Sequence, residues 1–297
     1  MSTSDGTVGT ATKVVDNGPG GRRWDLVVMG DGYRRGELSK FHDDVEWFWA
    51  EVLKPTPPFD QLWPAINVHR VDVTSAQSGA DMPCNGEGPF RTFFDASYCD
   101  PIWGPGVSEW LLTVNEPLAK QVAGGAVPEW NVTMLLVNAE AYGGSGAPLV
   151  AVASTGSVKL IGLHELGHSA FGLADEYDSP VSIQTSGEPA QPNVTRNTDR
   201  ATNKWRDLVK ATTPMPTSCN DGCANCRPPT HAPPPDVVGT YEGALYERCG
   251  LYRPVPDCYM RANQVFCPVC ARAVHRVLQA YLPEPSTSRS SRELLSG

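Results

Sequence analysis

The sequence predicts a fold of the α/β or α+β kind: a mixed, twisted sheet against one buried helix, then a loop-rich, cysteine-rich lower part that ends in a helix. Three observations predict it. Apolar runs of strand length alternate with segments of helical period through residue 171. Beyond Tyr177 the texture changes to Pro, Asn, Thr and Ser, and seven of the nine cysteines lie at or after position 219. The length of 297 residues, 40% hydrophobic and 19% charged, suffices for one large domain or two packed lobes.

Residues 1–21 are polar and glycine-rich and read as a flexible leader; they lack the basic, apolar and cleavage regions of a signal peptide. Residues 25–29 form a buried strand. Phe41, Val45, Phe48 and Trp49 recur at helical spacing within residues 37–53, and Pro55, Pro57 and Pro58 end that helix. Residues 66–73 alternate and carry β-branched side chains, as a half-buried strand does. A second helix is expected at 110–122 and a strand at 132–138. The glycines of Tyr142-Gly143-Gly144-Ser145-Gly146 precede a β-prone run at 149–154, which is read as an exposed edge strand able to pair with extended peptide. Leu160, Leu163, Gly167 and Ala170 mark a largely buried helix. Residues 271–282 form the terminal helix, with Val274, Val277, Leu278 and Tyr281 on one side. The chain thus divides into the leader, a single domain at 22–283 with lobes of about 22–172 and about 173–283, and a mobile tail at 284–297.

The formal net charge of −9, without a basic cluster, argues against binding nucleic acid or an anionic membrane. No apolar run approaches the length of a spanning helix, and no repeat is evident. A monomer is expected.

The chemistry concentrates in His164-Glu165-Leu166-Gly167-His168 and the nine residues after it. Positions i and i+4 share a helix face, so His164 and His168 can offer imidazole nitrogens to one Zn²⁺. Glu165, beside them, is placed to act as general base on a water activated by the metal. Gly172 can end the helix in the left-handed conformation and turn the chain back. The acid that follows is the third candidate ligand. Asp175 lies seven residues beyond His168, one more than the six of the usual HExxHxxGxxH pattern, and Glu176 lies eight beyond. A short carboxylate beside a tight turn favours Asp175, with Glu176 as the alternative.

The His-Glu-x-Gly-His-x-x-x-Gly-Leu-Ala-Asp-Glu-Tyr segment closely resembles one in the bacterial IgA peptidase family of zinc endopeptidases. Trp24 to Tyr33 looks like that family's opening strand and Gly-Asp-Gly-Tyr turn, and Ile66 to Val71 followed by Ser78-Gly79-Ala80-Asp81 looks like its second strand and Ser-Gly-x-Asp segment. Tyr252-Arg253-Pro254, Cys258-Tyr259-Met260 and Phe266-Cys267-Pro268-Val269-Cys270 are similar to later elements, so the resemblance spans roughly residues 22–280. It implies a metzincin-like, zincin-type peptidase with Met260 in a turn beneath the metal. Family membership leaves the cleaved sequence open. The resemblance and the cysteine content point to an extracellular protein, although the leader offers no export signal.

Cys84 and Cys99 can form a local disulfide, closing about 16 residues for roughly 3 kcal/mol in the chain-entropy model. Among Cys219, Cys223, Cys226, Cys249, Cys258, Cys267 and Cys270, disulfides are favoured over a zinc knuckle, because the two Cys-x-x-Cys pairs lie too far apart in sequence. The odd total leaves at least one thiol unpaired within the chain. His42, His69, His231 and His275 show no ligand spacing and read as structural, with His231 a candidate for a Cys₃His site. Tyr241, Tyr246 and Tyr252 are candidates to bind a developing oxyanion. Two alternatives to a zinc endopeptidase use the same residues: a non-catalytic module that grips peptide or glycan, and a zinc amidohydrolase acting on a non-peptide amide.

Overall fold

A seven-stranded mixed sheet organises the first 154 residues of the computed structural model, which describes residues 2–99, 109–179, 186–223, 237–262 and 265–284. Its strands are β1 (Ser2–Thr3), β2 (Gly6–Val15), β3 (Trp24–Asp31), β4 (Ile66–Ser75), β5 (Val132–Val137), β6 (Gly144–Ala147) and β7 (Val150–Ser154), in the order β1-β2-β4-β3-β5-β7-β6. The four inner strands β4, β3, β5 and β7 run parallel, while β2 and β6 pair antiparallel on either flank. β3 is buried along its whole length. Leu26 and Val28 face one apolar cluster and Val27 and Met29 the other, which explains an unbroken apolar run where a one-sided strand would alternate.

The predicted leader is corrected by β2. Its residues alternate too weakly to read as a strand, yet they pair with β4 from Gly6↔Ser75 to Val15↔Val68, so the partner's ladder supplies the order that composition does not. At the C-terminal end of β3, buried Asp31 accepts hydrogen bonds from Ser75 Oγ and from the backbone of Phe94 and Ala96, all at 3.0 Å. Gly32 has φ 70°, and a Cβ there would lie 2.1 Å from the Gly79 carbonyl oxygen. Thus the Gly-Asp-Gly-Tyr and Ser-Gly-x-Asp segments meet in space.

The first helix, α1 (Leu38–Trp47), continues as a π-helical stretch at Phe48–Leu53 and buries Phe41, Val45 and Phe48 against the sheet. A short α2 (Phe59–Leu62) follows. The second predicted helix lies later than expected: α3 spans Glu116–Ala126 because Asn115 caps it, accepting from Leu118 N at 3.1 Å. Trp110 and Leu112 instead run beside β6, through Gly144 N–Trp110 O and Leu112 N–Gly144 O bonds of 3.1 and 3.3 Å.

The expected edge strand is also corrected. β7 is interior, flanked by β5 and β6, and the glycine-rich β6 is the edge. Glycine is poor in strands, but α4 (Val158–Phe171) passes so close that side chains have no room. A Cβ at Gly146 would lie 2.6 Å from His168 Cβ, and one at Gly144 2.6 Å from Ile161 Cδ1. α4 is buried on nearly all sides except at Lys159 and Leu160; Leu160, expected inside, is 48% exposed.

Beyond α4, a hairpin of β8 (Tyr241–Ala244) and β9 (Glu247–Arg253) and two helices, α5 (Tyr259–Ala262) and α6 (Pro268–Leu278), emerge from loops. The terminal helix starts earlier than expected because Cys267 caps it and Pro268 opens it, and it ends in a 3₁₀ turn at Gln279–Tyr281. Cys84–Cys99 and Cys223–Cys249 are disulfides, and Cys219 is also disulfide-bonded. Cys226, His231 and the tail from residue 285 lie outside the described residues. Among the described residues, no helix is long and apolar enough to cross a membrane.

Candidate active site

α4 carries His164, Glu165 and His168 from its middle onward, and its end directs the chain back toward them. Gly172 caps the helix at φ 61°, ψ 32°, and Leu173 N returns to the Gly167 carbonyl at 3.1 Å, a left-handed closure that glycine adopts without strain. Asp175 then meets both rings. His164 Nε2 lies 2.9 Å from Asp175 Oδ1, His168 Nε2 3.2 Å from the same oxygen, and the two Nε2 atoms are 3.1 Å apart.

The other ring nitrogens fix the rings. His164 Nδ1 donates to the Tyr259 carbonyl at 3.1 Å and His168 Nδ1 to the Leu173 carbonyl at 2.7 Å. A carbonyl only accepts, so each Nδ1 carries hydrogen, and Nε2 is the nitrogen of each neutral ring that would offer a lone pair to a metal. Burial works against charge on His168, yet its contact with Asp175 holds its pKa up at about 9, and His164 moves in the same direction. Burial also opposes ionisation of Asp175, but the hydrogen bonds from both histidines outweigh it and hold the carboxyl below the usual range.

Those atoms fit a metal. Ligands about 2.0–2.1 Å from a tetrahedral Zn²⁺ lie roughly 3.3 Å from one another, close to the spacing here. A Glu165 carboxylate oxygen also lies within 4.8 Å of a ring nitrogen of each histidine. Distance separates the two acids: Asp175 Oδ1 is within contact of both Nε2 atoms, whereas Glu165 stands beside them with its carboxyl pushed upward by burial.

Glu176 faces elsewhere. Its Oε1 meets Asn193 Nδ2 at 2.9 Å and Cys270 Sγ at 3.1 Å, and burial raises its carboxyl well above the ordinary range. The hairpin turn between β8 and β9 holds the intervening backbone: Leu245 N bonds the Asp175 carbonyl at 2.9 Å and Tyr246 N the Tyr177 carbonyl at 3.0 Å. Leu245 and Tyr246 both adopt positive φ, 49° and 65°, a cost these contacts offset.

Of the three tyrosines considered, Tyr246 alone reaches the site, where its hydroxyl donates to Asp175 Oδ2. Tyr241 bonds the Val237 carbonyl, and Tyr252 pairs through its backbone with Thr195. Tyr177, whose contact role the sequence did not signal, stacks on His164 with centroids 6.5 Å apart and meets the Tyr246 ring edge-on at 5.4 Å. Met260 is fully buried, and a Cβ at Gly167 would lie 2.6 Å from its Sδ; the helix glycine between the histidines is therefore the seat of this methionine. His42 and His69 pair with Asp72 and Asp25 and take no part.

A buried helix presenting two histidines and an acid, closed by a second acid after a glycine turn, is the arrangement of a metallopeptidase. The model of the IgA peptidase M64 family matches residues 12–227 and 229–278, and the chain belongs to that family. It is a peptidase, a hydrolase acting on peptide bonds. No curated protein matches the chain.

Proposed function

We propose that this chain is a zinc-dependent metalloendopeptidase of zincin-like architecture, with His164, His168 and Asp175 as metal ligands and Glu165 as general base. The observation that carries this reading is the mutual 2.9–3.2 Å approach of two Nε2 atoms and Asp175 Oδ1, with Glu165 beside them. Bound there, Zn²⁺ would supply Lewis-acid polarisation of the scissile carbonyl and of water.

The chain's own residues do the rest. Glu165 takes a proton from the attacking water and passes it to the departing amine. The substrate backbone pairs with the edge strand β6 beyond Gly144, whose own N–H and carbonyl bond Trp110 and Leu112; Gly146 sits against His168, so a peptide added there runs past the metal ligands. Tyr246 holds Asp175 in place through its hydroxyl.

The test is Glu165→Gln, which keeps shape and removes the basic carboxylate. Zinc content should match that of the unmodified protein, while cleavage of a broad peptide library falls by about 10²-fold or more, the scale of general-base catalysis. Undiminished cleavage by the zinc-loaded variant would remove Glu165 from the mechanism. A zinc-loaded parent protein that binds peptides without cutting any would favour the binding-module reading.

A further inference from the structure

Four buried groups on the far side of Asp175 are unexplained by the peptidase site. Glu176, Cys258 and Cys270 are fully buried and Cys267 is 4% exposed. One ligand atom from each lies within 4.8 Å of all the others. The three cysteines are free thiols, although the same chain forms disulfides elsewhere. Glu176 Oε2 has no hydrogen-bond partner, an orphaned carboxylate oxygen inside the protein.

We propose that Glu176, Cys258, Cys267 and Cys270 bind a second, structural Zn²⁺ ion in a closed tetrahedral Cys₃Glu site. Soft thiolates with one carboxylate are a zinc donor set, and four protein ligands leave no open position, as structural rather than catalytic sites require. With bonds of about 2.3 Å to sulfur and 2.0–2.2 Å to oxygen, the ligand atoms would lie roughly 3.5–3.8 Å apart, so the cluster needs only a small contraction. Its surroundings suit thiolates. Cys267 caps α6, its Sγ accepts from Cys270 N at 3.5 Å, and Cys258 Sγ accepts from Cys267 N at 3.3 Å. The Arg253 guanidinium acts electrostatically on Glu176 and offsets part of the site's negative charge.

Cysteine arithmetic agrees. Three thiols on the metal leave six of the nine for pairing, and an odd count becomes even. A disulfide between any two of the three would instead strand one thiol and leave the orphaned oxygen unpaired. The site has a structural consequence: Glu176 adjoins Asp175, its N–H bonds the Met260 carbonyl at 2.8 Å, and Cys258 precedes Tyr259, whose carbonyl receives His164. The second ion would clamp together the segments that supply Asp175 and the methionine floor.

Cobalt distinguishes the two sites, because the histidine site has no sulfur donor. The unmodified protein, purified under reducing conditions, should hold two zinc ions per chain by elemental mass spectrometry. Exchange into Co²⁺ should produce a thiolate-to-cobalt charge-transfer band in the near ultraviolet. A His164→Ala/His168→Ala variant should keep one metal ion and that band. Cys267→Ser should diminish it. In the unmodified protein, mass mapping after metal removal should find three alkylatable thiols, at 258, 267 and 270. Lack of the band in the folded, unmodified protein would overturn the proposal even if every variant misfolded. So would a disulfide joining any two of the three. Failure of the histidine site would leave the band in place, so the two readings fail separately.

Discussion

Asp175 and Glu176 are adjacent in the chain and serve opposite sides of it. Asp175 turns to two imidazoles on α4; Glu176 turns to three thiols around the start of α6. Both are buried, but their ionisation moves in opposite directions: the histidines hold Asp175 down, while burial drives Glu176 up. In an extended segment successive side chains point to opposite faces, so one short stretch of backbone can feed two clusters. Fixing that stretch fixes both, and the β8–β9 turn and the Met260 carbonyl hold it from two directions.

Separating the two acids gives the largest expected effect. Asp175→Ala should empty the histidine site and lower peptide cleavage by about 10³-fold or more, the several kcal/mol a Lewis acid contributes. Glu176→Ala should leave that metal in place with a smaller loss of activity, and should weaken the thiolate band of the cobalt-substituted protein. Metal content and absorbance, read together, check both. If Glu176→Ala empties the histidine site and Asp175→Ala does not, the comparison is inverted and the ligand assignment fails.

A smaller effect is expected where Asp175 is supported without being replaced. Tyr246→Phe removes the hydroxyl that donates to Asp175 Oδ2 and keeps the ring that packs on Tyr177. Loss of such a supporting hydrogen bond costs about 10–100-fold in metal affinity. Competition with a chelator should show that weakening at the histidine site, with the thiolate band unchanged. Equal weakening at both sites would mean that Tyr246 supports the segment as a whole and not Asp175 alone.

Comparing the halves of the molecule also shows what a sequence can carry. The sheet strands β3, β4 and β5 and the helix α4 were legible because burial imposes period and composition on them. β6 was not, since its glycines answer to the proximity of α4, a tertiary fact with no local period. β2 was missed because its residues are largely exposed and owe their order to pairing with β4. The histidine pair was legible from its i, i+4 spacing on one helix. The cluster of Glu176 with Cys258, Cys267 and Cys270 was not, because its members come from separate segments brought together only in the fold. Likewise, spacing could nominate Asp175 and Glu176 but could not say which way each would turn.

Met260 offers the finest test, because it touches the helix that bears the histidines without bonding to either ring. Its Sδ occupies the space that a side chain at position 167 would need, so glycine and methionine are fitted to each other. Leucine has nearly the volume of methionine and lacks only its adaptable unbranched shape. Met260→Leu should therefore cost under about 1.5 kcal/mol in denaturant unfolding and keep zinc at both sites. Gly167→Ala is the reciprocal change and should cost more, because the new Cβ meets Met260 directly and the helix backbone cannot withdraw. Restoring stability by combining Gly167→Ala with a smaller residue at 260 would show that this contact sets the height of the floor. If Gly167→Ala were neutral on its own, the fit between helix and floor would be loose, and positioning of the histidines would rest on their Nδ1 bonds to Tyr259 and Leu173 alone.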